Sequence, residues 1–430
     1  MDDLRDRFGR LDRIDAPDLW NEAVERAAEL GVVARRPISR AFVLIAAVLL
    51  LVALVGAIAL GTRLIRPVPP DPSSVHYSNG MIAAQDGCGR LIGIDPDSSQ
   101  AQEVVPESSL CGIDTFLDIE TAWSSDGRRL AYGMWRECGG CEAEGSQVFP
   151  AGAWVYDLET DAMRRLGECP EMSCKEIDIS PDGSLVTYFA ESLMNGRDSL
   201  VVVEVDSEQA HVIPLPGEAG SPAFSPDGSR IVLPLRGGVS GLYVVDTTGI
   251  AQVPLDPTLL YSGAVGEAMI DASNVAWSPD GAWIAFDQLS GDGTTGVWVV
   301  RSDGTDPRLL ASGPAEEGPG FPTWSSDSRS IGYVRTPSSG ASSGERLELW
   351  TVGIDGGPPS RIYQSECCIS DWSPPAWSPD GELIAFGVEV TDRPEASGTA
   401  SIRPDGTDLR WVSDQPLRPD WQPLPDAAGD

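Results

Sequence analysis

Apolar positions along this chain follow two patterns. From Ala41 to Thr62 the run AFVLIAAVLLLVALVGAIALGT carries no charge over 22 residues. As a helix it extends about 33 Å, enough to cross a hydrocarbon core of about 30 Å. A secretory signal begins with a short basic stretch, whereas residues 1–40 precede this run, which predicts a retained signal anchor. The stretch RPVPPDPSS (66–74) then holds four prolines. They favour an extended, semi-rigid stalk over a helix or a central strand. Beyond it no helical period persists. Short apolar runs alternate with clusters of Gly, Pro, Asp and Ser, the pattern of an all-β domain.

The β region repeats itself. WSSDGRRLAY begins at Trp123, ISPDGSLVTYF at Ile179, FSPDGSRIVL at Phe224, WSPDGAWIAF at Trp277, WSSDSRSIGYV at Trp324 and WSPDGELIAF at Trp377. The turn aspartates are Asp126, Asp182, Asp227, Asp280, Asp327 and Asp380, at intervals of 56, 45, 53, 47 and 53 residues. That spacing matches one four-stranded propeller blade plus variable loops. Proline presets the first turn position, as Pro379 does. The aspartate bonds nearby amides, and the glycine takes the left-handed conformation that closes the hairpin. In the fifth copy Ser328 replaces that glycine, which weakens the turn without forbidding it. The large apolar residue ahead of the turn is expected to face a neighbouring blade, where an aromatic buries much area.

Third and fourth strands follow each copy, at 153–166, 200–215, 241–255, 296–310, 347–363 and 399–412. A further blade comes from the two ends. GMIAAQ (80–85), RLIGIDPD (90–97) and AQEVV (101–105) read as strands two to four of a blade lacking its first. RPDWQP (418–423) supplies that first strand, with Trp421 in the aromatic slot. The expected fold is therefore a seven-bladed β-propeller closed by N- and C-terminal strands, with one transmembrane helix and a short helical arm ahead of it. A single blade leaves two apolar faces open, and a closed ring covers them without exposing a sheet edge. The domains follow: arm 1–40, anchor 41–62, stalk 63–74, propeller 75–424 and a disordered tail 425–430.

The (W/F)SPDGxxIAF motif with its following Y/W-V-V strand and DG turn resembles the repeats of TolB-like, WD40-like (PD40) propellers. The non-catalytic domain of prolyl oligopeptidases carries similar repeats. The resemblance spans about residues 75–424 and implies a fold; such propellers serve many functions.

Charge narrows the partners. The chain has 30 basic and 65 acidic residues, a net charge of −35. Residues 67–430 hold 20 basic against 56 acidic residues, so phosphate backbones are repelled and no nucleic-acid partner is expected. Arg35, Arg36 and Arg40 flank the anchor on one side, Arg63 and Arg66 on the other. All eight cysteines, Cys88, Cys111, Cys138, Cys141, Cys169, Cys174, Cys367 and Cys368, follow the anchor. That distribution suits an oxidising exterior, a cytoplasmic N-terminus and a single-pass cell-membrane location.

In propeller topology these cysteines map to one face, that of the loops between strands two and three and between blades. Disulfides stapling long loops are the expectation, with Cys88–Cys111 the preferred pair. A zinc site from CGGC and CPEMSC is the alternative; a redox-active CxxC lacks the helix start that lowers thiol pKa. No metal or cofactor is expected. Trp135 and Trp372 stand nearest these loops and are the aromatic candidates for a binding face.

Catalytic signals are weak. GASSG (340–344) matches a nucleophile elbow but sits in a Ser- and Gly-rich loop without strand and helix around it. Neither His76 nor His211 has an evident serine and acid beside it. The expected function is a scaffold or sensor for an extracytoplasmic protein or peptide. It acts through the loop-rich face or the channel mouth, where inner-strand Asp and Glu set charge preference. The alternative is an extracytoplasmic enzyme of hydrolase or lyase type on the same face. Within the arm, Leu4, Phe8 and Leu11 share one predicted helical face, and a second helix is predicted over 16–30. Such an arm offers a site for a cytoplasmic regulator.

Overall fold

The computed structural model describes residues 77–425, apart from 86–90, 106–116, 137–151, 169–173, 191–198, 237–239, 251–256, 263–273, 291, 315–317, 338–345, 366–368, 391–392, 394–395 and 416. The predicted arm, anchor and stalk lie outside the described residues. No helix among the described residues is long and apolar enough to cross a membrane.

Among the described residues thirty strands form seven antiparallel sheets. Blade one joins both ends of the domain. Here β1 (Tyr77–Gln85), β2 (Leu91–Ile94) and β3 (Ala101–Glu103) stand beside β30 (Asp420–Pro425) in the order β3-β2-β1-β30. Blade two is β4 (Leu117–Trp123), β5 (Arg129–Arg136), β6 (Gly152–Asp157) and β7 (Ala162–Glu168). Blade three is β8 (Cys174–Ile179), β9 (Leu185–Ala190), β10 (Ser199–Glu204) and β11 (Ala210–Pro214). Blade four splits its first strand into β12 (Glu218–Ala219) and β13 (Ala223–Phe224), ahead of β14 (Arg230–Arg236), β15 (Gly241–Asp246) and β16 (Thr258–Tyr261).

Blade five is β17 (Val275–Trp277), β18 (Trp283–Leu289), β19 (Thr294–Arg301) and β20 (Arg308–Pro314). Blade six is β21 (Gly320–Trp324), β22 (Ser330–Arg335), β23 (Glu348–Gly353) and β24 (Ser360–Gln364). Blade seven also splits its first strand, into β25 (Ile369–Trp372) and β26 (Ala376–Trp377), ahead of β27 (Ile384–Val390), β28 (Gly398–Ile402) and β29 (Arg410–Ser413). The two splits fall where Pro222, and Pro374 with Pro375, remove ladder donors.

The expected closure is observed. β30 pairs with β1 in a register that sets Trp421 opposite Ile82 and Asp420 opposite Ala83. The first strands of successive blades meet one another around the ring, β30 touching β4 on one side and β26 on the other. Buried apolar side chains accordingly fall into seven clusters, one at each interface between blades. At the closing interface Ile82, Ile94 and Trp421 of blade one pack with Ala385 and Val412 of blade seven.

One expected element is displaced. The fourth strand of blade four was expected within 241–255, yet β15 pairs with β16 at Thr258–Tyr261. Pro254 and Pro257 interrupt the earlier apolar run, while TLLY keeps every donor.

Candidate functional site at the central channel

The six turn copies share one hydrogen-bond pattern. In each, a buried serine (Ser124, Ser180, Ser225, Ser278, Ser325, Ser378) donates to the turn aspartate's Oδ1 at 2.6–2.7 Å. The same serine oxygen accepts an amide five residues on, as from Arg230 at 3.0 Å. The aspartate accepts the amide two residues on, from Glu382 at 2.9 Å in the last copy. Five glycines take positive φ, from Gly127 at 68° to Gly381 at 75°, and Ser328 takes 60°. Ser328 also adds a contact that glycine lacks: its hydroxyl accepts the Asp280 amide of the preceding blade at 3.0 Å. All six turn aspartates are therefore structural.

The aromatic slot works as a relay between blades. The indole N–H of Trp277 donates to the carbonyl of Ala223, that of Trp324 to Ala276 and that of Trp421 to Ala376, at 3.0–3.1 Å. Each acceptor is the residue just before the slot in the preceding blade. Around the ring this position reads Asp420, Ala122, Asp178, Ala223, Ala276, Thr323, Ala376. Two of the seven blades thus put a carboxyl where the others hold a small side chain.

Each carboxyl ties its blade to the next. Asp178 accepts the slot amide of Phe224 at 2.7 Å and its neighbour Ile179's amide at 2.8 Å. Asp420 accepts from the Thr121 hydroxyl and the slot amide of Trp123. Its Oδ2, however, is buried with no hydrogen-bond partner among the described residues. Desolvation raises both carboxyls far above the ordinary carboxylate range, Asp178 to about 7 and Asp420 to about 8. The negative charge of Asp178 is the second cause at Asp420. Near neutrality the pair therefore retains a proton that an exposed carboxylate has lost.

Further acids flank the pair. Glu120 accepts the Ile177 amide at 3.2 Å and faces Arg418 at 3.7 Å. Glu176 lies at a bulge of β8 with φ of 56° and accepts the Ser221 hydroxyl. In blade five the tie to the next blade comes from the second strand. There Asp287 accepts the amides of Asn274 and Phe321 at 3.0 and 3.1 Å. The arrangement can hold a proton or a single cationic group; no group of three or more potential metal ligands occurs among the described residues.

Of the remaining sequence candidates, Cys88, Cys111, Cys138, Cys141, Cys169, Cys367 and Cys368 lie outside the described residues, as do His76 and GASSG. Cys174 opens β8, with its backbone opposite Ala190. Trp135 pairs with Asp118 near the end of β5, and Trp372 ends β25 opposite Val388. The backbone of Trp135 thus stands near the strand end that leads into the connection from Arg136 to Gly152, whereas Trp372 lies at the opposite end of β25 from the connection between blades six and seven. His211 lies on outermost β11 with Nε2 3.5 Å from Glu204, whose other carboxylate oxygen accepts the Ser207 hydroxyl at 2.8 Å. Neither Asp178, Asp420 nor the turn serines were singled out from the sequence. Aligning the copies on the slot would have exposed them, since two Asp stand out among Ala and Thr, and the serine occurs in all six turns.

No family model matches the chain. An uncharacterized protein of Agrobacterium fabrum is 24% identical over 235 residues, which is 54% of this chain and 71% of that protein. Among solved structures, TolB from Acinetobacter baumannii is similar at 16% identity, covering 83% of this chain and 69% of that one, with a TM-score of 0.46. The periplasmic gluconolactonase of Pseudomonas aeruginosa is similar at 16% identity, covering 81% and 99%, with a TM-score of 0.49. An oligogalacturonate lyase in complex with manganese is similar at 14% identity, covering 78% and 85%, with a TM-score of 0.47.

Proposed function

We propose that this chain is a membrane-anchored extracytoplasmic propeller that binds a protein or peptide. Its contacts are the face bearing the long connections and the adjoining channel mouth. The observation that supports this reading is the inequality of the two faces. One face is closed by short hairpins whose serine, aspartate and glycine satisfy one another, the connection from Asp246 to Thr258 in blade four being the longer exception. The other carries connections that run from Arg136 to Gly152, Ala190 to Ser199 and Arg335 to Glu348. Long surface connections on a rigid frame are where binding residues concentrate. In this reading residues 41–62 span the membrane, the cysteines staple the loops, and residues 1–40 face a cytoplasmic regulator.

Photo-crosslinking in intact cells tests the surface. A photoreactive residue at Trp135 or Trp372 is expected to capture a discrete partner, while one at the hairpin positions Asp303 or Asp405 captures none. Equal capture from both faces, or none from either, overturns the reading. Protease added outside intact cells is expected to digest the propeller and spare residues 1–62. Alkylation of the unreduced, denatured protein is expected to modify no cysteine beyond the anchor.

A further inference from the structure

We propose that the Asp178–Asp420 pair is a receptor for one basic side chain, the guanidinium or ammonium group of a partner peptide. This rests on the binding function proposed above and names the chemistry that the channel selects.

The ring does not need these carboxyls for closure. Five blades hold Ala or Thr at the same position, and at three of them, Ala223, Ala276 and Ala376, the slot tryptophan of the next blade bonds to the backbone carbonyl regardless of side chain. An acid there is costly, because burying a carboxyl without full compensation opposes folding. Asp178 recovers part of that cost through two amides. Asp420 recovers part through the Thr121 hydroxyl and the Trp123 amide, but its Oδ2 meets no donor among the described residues. Ala122, on the intervening strand of blade two, leaves only a methyl group at the position between the two acids.

The charges facing the pair from neighbouring inner segments are Glu120, Glu176 and Arg418, two acids and one base, becoming three acids and one base when either member ionises and four when both do. Arg418 is already engaged with Glu120 at 3.7 Å. A basic side chain brings what is missing, several N–H donors and a positive charge on one compact group. Two carboxyls suit such a cation better than a calcium ion, which takes six to eight oxygen ligands. Entry of the cation ionises the pair, and the proton held near neutrality is released to solvent.

The test is titration calorimetry of the full chain in detergent at pH 7, run in two buffers of different ionisation heat. The probes are acetyl-Gly-Gly-Arg-Gly-Gly-amide and the same peptide with citrulline, neutral and nearly isosteric, in place of arginine. The arginine peptide is expected to bind with proton release and the citrulline peptide not to bind. Asp420→Asn is expected to weaken binding at least tenfold and to abolish proton release, while Asp97→Asn on the exposed hairpin face changes neither. Circular dichroism checks folding, and Asp178→Asn carries the test if Asp420→Asn does not fold. Equal binding of both peptides shows that no cation is recognised, undiminished affinity and proton release in the variants assigns the attraction to the acidic surface, and either result overturns the site. That failure leaves the face-specific crosslinks untouched, just as loss of the crosslinks leaves the calorimetry untouched.

Discussion

Ser225 shows how much one hydroxyl carries in this fold. It is buried, donates to Asp227 at 2.6 Å and accepts the Arg230 amide at 3.0 Å. Replacement by alanine strands that amide, so Ser225→Ala is expected to cost about 1–3 kcal/mol in denaturant unfolding. Ser328 is the informative exception. Its positive φ costs about 1 kcal/mol, and its bond to the Asp280 amide recovers a similar amount. Ser328→Gly is therefore expected to leave stability within about 1 kcal/mol of the parent, whereas Ser328→Ala, which keeps the strain and loses the bond, destabilises by about 1–2 kcal/mol. Asp420 gives the opposite sign at high pH. Its carboxyl is raised in the folded state, so folding binds a proton and stability falls as pH climbs from the usual carboxylate range to about 8. Asp420→Asn removes that dependence. Its melting temperature relative to the parent is expected to rise steadily from pH 4 to pH 8, and a difference that stays flat contradicts the assignment.

At the scale of elements, β30 is the piece on which closure depends. It gives β1 a partner, seats Trp421 against blade seven and ties Gln422 to the Gly127 carbonyl of blade two at 2.7 Å. Further bonds join the same seam, Asn79 donating to Asp380 at 2.9 Å and the Asp380 amide returning to Asn79 at 3.2 Å. Trp421→Phe keeps the ring and loses the indole donor, leaving the Ala376 carbonyl unpaired, for an expected loss of about 1 kcal/mol. Ending the chain at Leu417 removes the strand altogether. An exposed β1 edge is a template for pairing with other chains. Sedimentation of that truncated form is expected to show higher oligomers and aggregates at concentrations where the parent is monodisperse.

For the whole molecule, the seven interfaces are separate apolar clusters joined only through the ring, and each blade supports two of them. Charge is distributed differently. Hydroxyl and amide hydrogen bonds hold Asp292, Asp303 and Asp405 below the usual carboxylate range, so their contributions are lost as pH falls through it. Asp178 and Asp420 act in the other direction, against stability toward pH 8. The midpoint of denaturation is thus expected to peak at mildly acidic pH, about 5–6, and to fall on both sides.

The repeat count, the turn chemistry, the slot aromatics and the return of the C-terminal strand were legible in the sequence. Each depends on local rules, left-handed turn positions, strand alternation and spacing, that one blade states and the next repeats. The displaced strand of blade four was less legible because two prolines redirect pairing that the apolar pattern alone leaves open. The carboxyl pair was invisible to local reading for a different reason. Asp178 and Asp420 stand far apart in the chain, and neither has an unusual neighbour in sequence. Only closing the ring brings blade three and blade one to either side of blade two, and desolvation together with mutual repulsion then sets their protons. Local pattern determined the wheel; the meeting of its two ends decided what stands at its centre.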